Sequence, residues 1–412
     1  MQRIKILGGR ISWPQWRQVA HLAERYSAGF TLHITTRQDI ELHNIIEKNL
    51  AVVQQGLAGV GLTTVGACGD TARNITVCTA CDFCPDGLDV LPIAHLVRNH
   101  LEQHPAIFSL PRKFKISFSG CQKSCAKPYV NDLAFVAQPD GLFTVIGAGS
   151  LGPRPSLGIR LYKDLSSSDI LPLCVASVEF FTQYGDRDNR HRARLRHVRE
   201  RFGDQTFKTM LDERLNHVRT RQQWPQPSPA QGRQNANLLH RLQLPGGNIT
   251  CRQAVEIADA AEPEGAALRI NLEHGIELYG GQSFHLPHGL SALADGPTVV
   301  ACPGSAVCSK GLCDCRLVAE RIRKVLLDCN LTDVRINISG CPNNCARSAV
   351  ADIGLVGILR KENGQSAQHY RLLVGGGNGI SDKLAQEISV LHTENVPDAI
   401  RTLLKKNDKK SL

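Results

Sequence analysis

Aromatic side chains are scarce in this sequence: Phe, Trp and Tyr make up 5% of its 412 residues. A surface that stacks the bases of a nucleic acid needs aromatic faces interleaved with basic residues, and no such interleaving is present. The formal charge of +10 therefore calls for a different anion, and no nucleic-acid partner is expected. Long apolar runs are missing too. Nothing approaches the roughly 18 residues needed to span a bilayer, so no membrane insertion is expected, and the opening MQRIKILGGR has no signal-peptide core. A dinucleotide fingerprint is also lacking, since GAGSLG at 147–152 has no strand–helix setting. What remains is an ordinary soluble composition, 42% hydrophobic, in a chain long enough for two or three domains.

Cysteine is what the chain has in excess. Fifteen is a high count for this length, and an odd, clustered set argues against a secreted disulfide framework and for metal binding in a reducing compartment. A cytoplasmic location is expected on that ground. The densest stretch runs from Cys302 to Cys345. ACPGSAVC separates Cys302 and Cys308 by five residues, and SGCPNNC separates Cys341 and Cys345 by three. Pro-Asn-Asn favours a turn that points both later sulfurs the same way. Four thiolates in two close pairs, each on a turn, suit an iron–sulfur cluster. On the residues alone, zinc or buried packing thiols stay open, and Cys313 and Cys315 lie near enough to compete as ligands.

The chain also repeats itself. RLQLPGGNIT echoes RIKILGGRIS, and ALRINLEHGIELYG echoes FTLHITTRQDIELHN. ACPGSAVC echoes VCTACDFC, INISGCPNNC echoes ISFSGCQKSC, ADIGLV echoes NDLAFV, and LLVGGGNG echoes VIGAGSLG. Six matches in one order indicate an internal duplication joined by a Pro-rich linker near 222–237. A strand is expected at RIKILGGRI, a helix capped by Ser12 after it, and a strand over FTLHITTRQDIELHNI. A helix around LPIAHLVRNHLEQH and a long basic helix near 186–202 follow. On that basic helix Arg187, Arg190 and Arg194 would share one face, and Arg192, Arg196 and Arg199 another. GGQSFHLPHGLSALADGP is short for the helix found at the matching place in half one.

Position by position, the halves differ in charge. Lys113 and Lys115 face Asp333 and Arg335, Arg73 faces Pro297, Arg37 faces Glu273, and only Arg3 keeps its charge as Arg241. Half one thus looks like the anion side. Fixed cations with N–H donors of this kind suit the binding of an anion.

C-x5-C followed by G-C-P-N-x-C closely resembles the siroheme and 4Fe-4S site of sulfite and nitrite reductases, and the resemblance covers nearly the whole chain. It implies an α+β, internally duplicated fold, with two ferredoxin-like half-units forming one domain plus two α/β lobes around a pseudo-two-fold axis. The expected boundaries are 1–62 and 223–290 for the half-units, the second with the linker, and 63–222 and 291–412 for the lobes. The cluster ligands implied are Cys302, Cys308, Cys341 and Cys345, with Cys345 bridging to the siroheme iron. The oxyanion contacts implied are Arg3, Arg73, Lys113 and Lys115. Siroheme carries eight carboxylates, and Arg37, His43, Arg112, Arg190, Arg194 and Asn343 are its candidate contacts. Glu41 stands where the family commonly has Gln, so no contact is carried over to it.

The activity implied is six-electron reduction of sulfite to sulfide, with nitrite reduction to ammonia as the alternative. RKFK resembles the sulfite reductases, whereas plant-type nitrite reductases tend to place Asn at the second lysine. A precorrin-3B synthase-like enzyme is more distant, and the lysines argue against it. Electrons would come from ferredoxin or a flavoprotein subunit. Cys78, Cys84, Cys121 and Cys125 reproduce both cysteine spacings in half one, with Cys81 added. This resembles the dissimilatory sulfite reductases, and a second cluster there stands open beside a relic of duplication or buried thiols.

Overall fold

The computed structural model describes residues 1–84, 87–227, 230–231, 236–294, 296–331 and 334–408. Two five-stranded sheets have the same topology. One runs in the order Thr76–Val77, Ile116–Ser119, Leu133–Ala137, Phe143–Gly147, Ile159–Leu165. The other runs Thr298–Ala301, Arg335–Ser339, Ile353–Glu362, Gln365–Val374, Gln386–His392. In each, the first three strands are parallel and the last two antiparallel. The duplication read from sequence is thus a duplication of fold.

The two small units interlock. A four-stranded sheet takes Gln2–Ile4, Ile40–Leu42 and Thr31–Ile34 from half one and Asn248–Thr250 from half two. Helix Trp13–Tyr26 opens with a capping box between Ser12 and Gln15, and helix Cys251–Ala261 with the equivalent box between Thr250 and Gln253. Each box satisfies first-turn N–H groups that the helix itself cannot. The helices meet through fully buried Trp16, whose indole N–H donates to Ala254 O at 2.8 Å. The Gly-Gly turns cross the pseudo-axis. A Cβ at Gly9 would stand 2.1 Å from Ile270 O, and one at Gly247 2.6 Å from Ile34 O. Only glycine lets each turn lie against the other half's strand.

Buried side chains form three cores: one under the first five-stranded sheet, one shared by both small units, and one under the second sheet. The expected trimming of half two is present, as the four-residue helix His288–Ser291 in place of Leu50–Ala58.

Two expectations need correction. FTLHITTRQDIELHNI is a hairpin, not one strand: Thr31–Ile34 and Ile40–Leu42 flank a turn. Thr35 Oγ1 accepts the N–H groups of Arg37 and Asp39, and Gln38 takes a positive φ of 61°. Such side-chain-to-backbone bonds compete with an extended strand. The basic segment near 186–202 is likewise not one helix. A 3-10 turn at Arg190–Arg192 precedes the helix Leu195–Phe202, because Asp186 and Asn189 draw the following N–H groups into side-chain turns. The two-face assignment of its arginines therefore fails. Asp333, the counterpart of Lys113, and part of the linker lie outside the described residues.

Candidate active site

Half one supplies cations and half two supplies thiols to a single cavity of about 450 Å³. Its wall brings together Arg3, Arg37, His43, Arg73, Lys113, Lys115, Asn343, Cys302, Cys308, Cys341 and Cys345. A second groove of about 840 Å³ shares Lys113 and Asn343 with it. Arg112, Arg190 and Arg194 line that groove beside Arg192 and Arg196, so arginines assigned to opposite faces meet on the same side. Every candidate of the half-two cluster and half-one anion site lies on one of these two adjoining spaces.

Carboxylates fix the cations in place. Arg3 donates twice to Glu41, at 2.8 and 2.6 Å, and once to Ala67 O at 3.1 Å. Arg73 reaches the same carbonyl at 2.7 Å and Gly69 O at 2.8 Å. Glu41 also holds His43 Nε2 at 2.9 Å. Burial would raise the Glu41 carboxyl, but His43 and Arg3 hold it well below the usual range. Arg112 and Arg190 converge on Asp70, at 2.9 and 2.5 Å. Asp132, fully buried, binds Arg194 at 2.7 Å and accepts the Lys115 N–H at 2.8 Å.

The lysines are different. Among the described residues neither Nζ has a hydrogen-bond or ion-pair partner. Burial, then Arg194, pushes Lys113 down to about 8. Burial, then Arg37 and Arg194, takes Lys115 well below the lysine value. Arg37, pushed down to about 10 by burial, is tied to Asn131 Oδ1 and Asn74 O at 3.1 and 2.6 Å. Its Nε, and those of Arg73, Arg196 and Arg347, are buried without a partner. The same holds for Arg10, Arg199, Arg269 and Arg335 outside the cavity, so these buried Nε atoms do not mark the site.

Sequence reading missed several contributors. Buried His33 and His274 share the cavity wall. Arg347 donates to Thr36 O at 2.9 Å and to Glu273 at 2.8 Å, and Lys127 binds Glu273 at 2.8 Å. The repeat held the signal, since CAK and CAR put a cation two residues after the last cysteine of each half. Carboxylate anchors such as Asp132 leave no local signal, because their partners are far away in sequence.

The thiols fit a cluster. Gly340 N–H donates to Cys302 Sγ at 3.1 Å. Contact with Cys315, then that N–H, outweighs burial and brings the Cys302 thiol to about 7, while burial pushes Cys345 up to about 11. Cys313 and Cys315 lie in the core beneath. Among the described residues no three His, Cys, Asp or Glu converge as a ready site for one ion; a cluster spreads its thiolates over separate irons. Four thiols, two unpartnered lysines and a wall of arginines around adjoining spaces suit an anionic macrocycle beside an iron–sulfur centre.

The family described as "Nitrite and sulphite reductase 4Fe-4S domain" matches residues 68–219 and 295–406, and "Nitrite/Sulfite reductase ferredoxin-like half domain" matches residues 1–60. Among curated relatives, the chloroplastic ferredoxin–nitrite reductase of Arabidopsis thaliana is 27% identical over 98% of this chain and 76% of its own. The assimilatory ferredoxin-dependent nitrite reductase of Haloferax mediterranei is 26% identical over 98% and 78%. The Mycobacterium tuberculosis NirA protein superposes with a TM-score of 0.83 at 24% identity, over 98% of this chain and 80% of that one, which establishes the fold. With both lobes and the first half-unit matched, the chain belongs to the nitrite and sulphite reductase family, as an oxidoreductase that uses siroheme and a 4Fe-4S cluster.

Proposed function

We propose that this chain reduces nitrite to ammonia with six electrons delivered by ferredoxin. The observation that carries oxyanion reduction, whichever oxyanion is used, is the pair of unpartnered lysines, Lys113 and Lys115, lining one cavity with Arg3, Arg73 and Cys345. Relatives that match over nearly all of this chain and are named ferredoxin–nitrite reductases favour nitrite over the sulfite preferred from RKFK. The charge of +10 suits an acidic donor, and fifteen free thiols suit a reducing compartment such as the cytoplasm. The proposed boundaries remain 1–62 with 223–290, 63–222 and 291–412.

In this reading Cys302, Cys308, Cys341 and Cys345 hold the cluster, and Arg37, His43, Arg112, Arg190, Arg194 and Asn343 meet the siroheme. The cofactor pair, when bound, would relay the donor's electrons to the oxyanion. The chain does the rest. Arg3, its fork fixed by Glu41, and Arg73 present permanent positive charge to the oxygens. Lys113 holds a proton that burial has made easier to give up. Lys115, on the same cavity wall, adds a second N–H donor. Asp132 fixes the Lys115 backbone and the Arg194 guanidinium together, so proton donor and groove wall keep one geometry.

Sulfite is the second reading, favoured by Lys115 itself: sulfite carries a third oxygen and more charge to be matched. Turnover with reduced ferredoxin tests both. A kcat/KM at least tenfold higher for nitrite supports the proposal, and the reverse order assigns sulfite. Lys115→Asn should lower kcat/KM for sulfite about tenfold or more while costing nitrite less.

A further inference from the structure

The half-one cysteines sit on a structural copy of the half-two cluster turns. Gly120 N–H donates to Cys78 Sγ at 3.1 Å, as Gly340 N–H does to Cys302 Sγ. Cys78 N–H donates to Phe118 O at 3.1 Å, and Cys302 N–H to Ile338 O at 3.0 Å. Gly87 N–H closes on Cys84 O at 3.1 Å, and Gly311 N–H on Cys308 O at 2.9 Å. Ser119 Oγ accepts Ala126 N–H at 3.2 Å, and Ser339 Oγ accepts Ala346 N–H at 3.2 Å. Ser124 and Asn344 share a φ of 55°. A relic under no constraint has no reason to retain bonds that aim sulfur atoms.

We propose that Cys78, Cys84, Cys121 and Cys125 hold a second 4Fe-4S cluster in half one, without a siroheme. Cys81 stays outside the ligand set. Ser305 stands at its place in the half-two turns, and the Cys81 S–H donates to Asp89 Oδ1 at 3.5 Å beside Arg10 Nη2 at 3.2 Å. At positions related by pseudo-symmetry to the cavity wall, half two and its neighbours carry different side chains. Phe83 stands at the position of Val307 and Tyr279 at that of His43, and the two rings stack with centroids 5.1 Å apart. Arg269 covers Phe83 at 5.4 Å, and Tyr279 donates to Glu277 at 2.6 Å. Pro297 replaces Arg73, and Arg335 faces Asp352 at 4.0 Å. Thiol geometry is kept where cavity-wall residues and oxyanion charge are not.

The test is metal analysis of the full-length holoprotein, purified without oxygen. About nine irons and eight acid-labile sulfides per siroheme are expected, against about five and four for one cluster. C121S/C125S should lose about four irons and keep the siroheme absorption. Should that variant not fold, the wild-type ratio and a second reduced-cluster electron-spin resonance, not coupled to the haem, decide. About five irons per siroheme, nine irons undiminished in C121S/C125S, or zinc in place of the extra four irons would overturn the proposal. These counts are independent of which oxyanion turns over, so failure of nitrite reduction leaves them standing.

Discussion

Asp132 shows how one residue can set a site it does not enter. Its carboxylate is fully buried, and it binds both Arg194 and the Lys115 backbone. Asp132→Asn leaves Arg194 without its countercharge, and breaking such a pair by removing one partner costs about 3–5 kcal/mol. Because Arg194 also lines the open groove, a loss near about 3 kcal/mol in denaturant unfolding is expected; under about 1 would show that Arg194 finds another partner. In the proposed role, Lys113 contributes the pH dependence near neutrality. Burial and Arg194 bring it to about 8, so it holds its proton below that pH and loses it above. In the proposed role, kcat/KM for the oxyanion should fall as pH rises through about 8, and Lys113→Arg should move the falling limb upward. A limb that stays in place in Lys113→Arg would remove Lys113 from proton delivery.

At the scale of elements, the strand-to-cysteine turn leaves no room for a side chain. A Cβ on Gly340 would stand 2.6 Å from Cys313 O, 2.9 Å from Gly304 Cα and 3.0 Å from Cys315 Sγ. Gly340→Ala must therefore push the turn carrying Cys302 and Cys308 away from that carrying Cys341. A loss of about 1–3 kcal/mol and of roughly half or more of the bound iron is expected. Gly59→Ala, whose nearest atoms would be 3.6 Å away, should alter neither. These turns were legible in the sequence because the duplication printed them twice, and the capped helix at Ser12 was legible from its cap. What escaped was chain reversal driven by short polar side chains. TTRQD has strand-like neighbours, yet Thr35 turns it and delivers Arg37 to the cavity. Helical spacing through 186–202 was equally misleading, since Asp186 and Asn189 break it. The anchors Glu41, Asp70 and Asp132 could not be read as anchors, because each gains its meaning from a partner brought near only by folding.

For the whole molecule, neither half completes the site alone. Thr36 of half one donates to Cys345 O at 3.1 Å, Arg347 of half two returns a bond to Thr36 O at 2.9 Å, and Asn344 reaches Gly152 O at 3.0 Å. The small units share strands Thr31–Ile34 and Asn248–Thr250 in one sheet, with His33, Leu32 and Thr31 opposite Asn248, Ile249 and Thr250. Trp16, buried against helix Cys251–Ala261, and Trp13, which donates to Ala266 O at 2.9 Å, cross the same boundary. Removing one large buried aromatic ring of this kind costs about 3–5 kcal/mol, so separating the halves would forfeit several such contributions together. A protease site inserted after Gln226 should accordingly give a nicked protein that migrates as one particle and keeps its iron. Residues 1–226 expressed alone should expose the Trp16 face and aggregate. Fragments that part without denaturant after cleavage would mean that the covalent join, rather than the shared sheet and the thiol-to-cation boundary, holds the cavity closed.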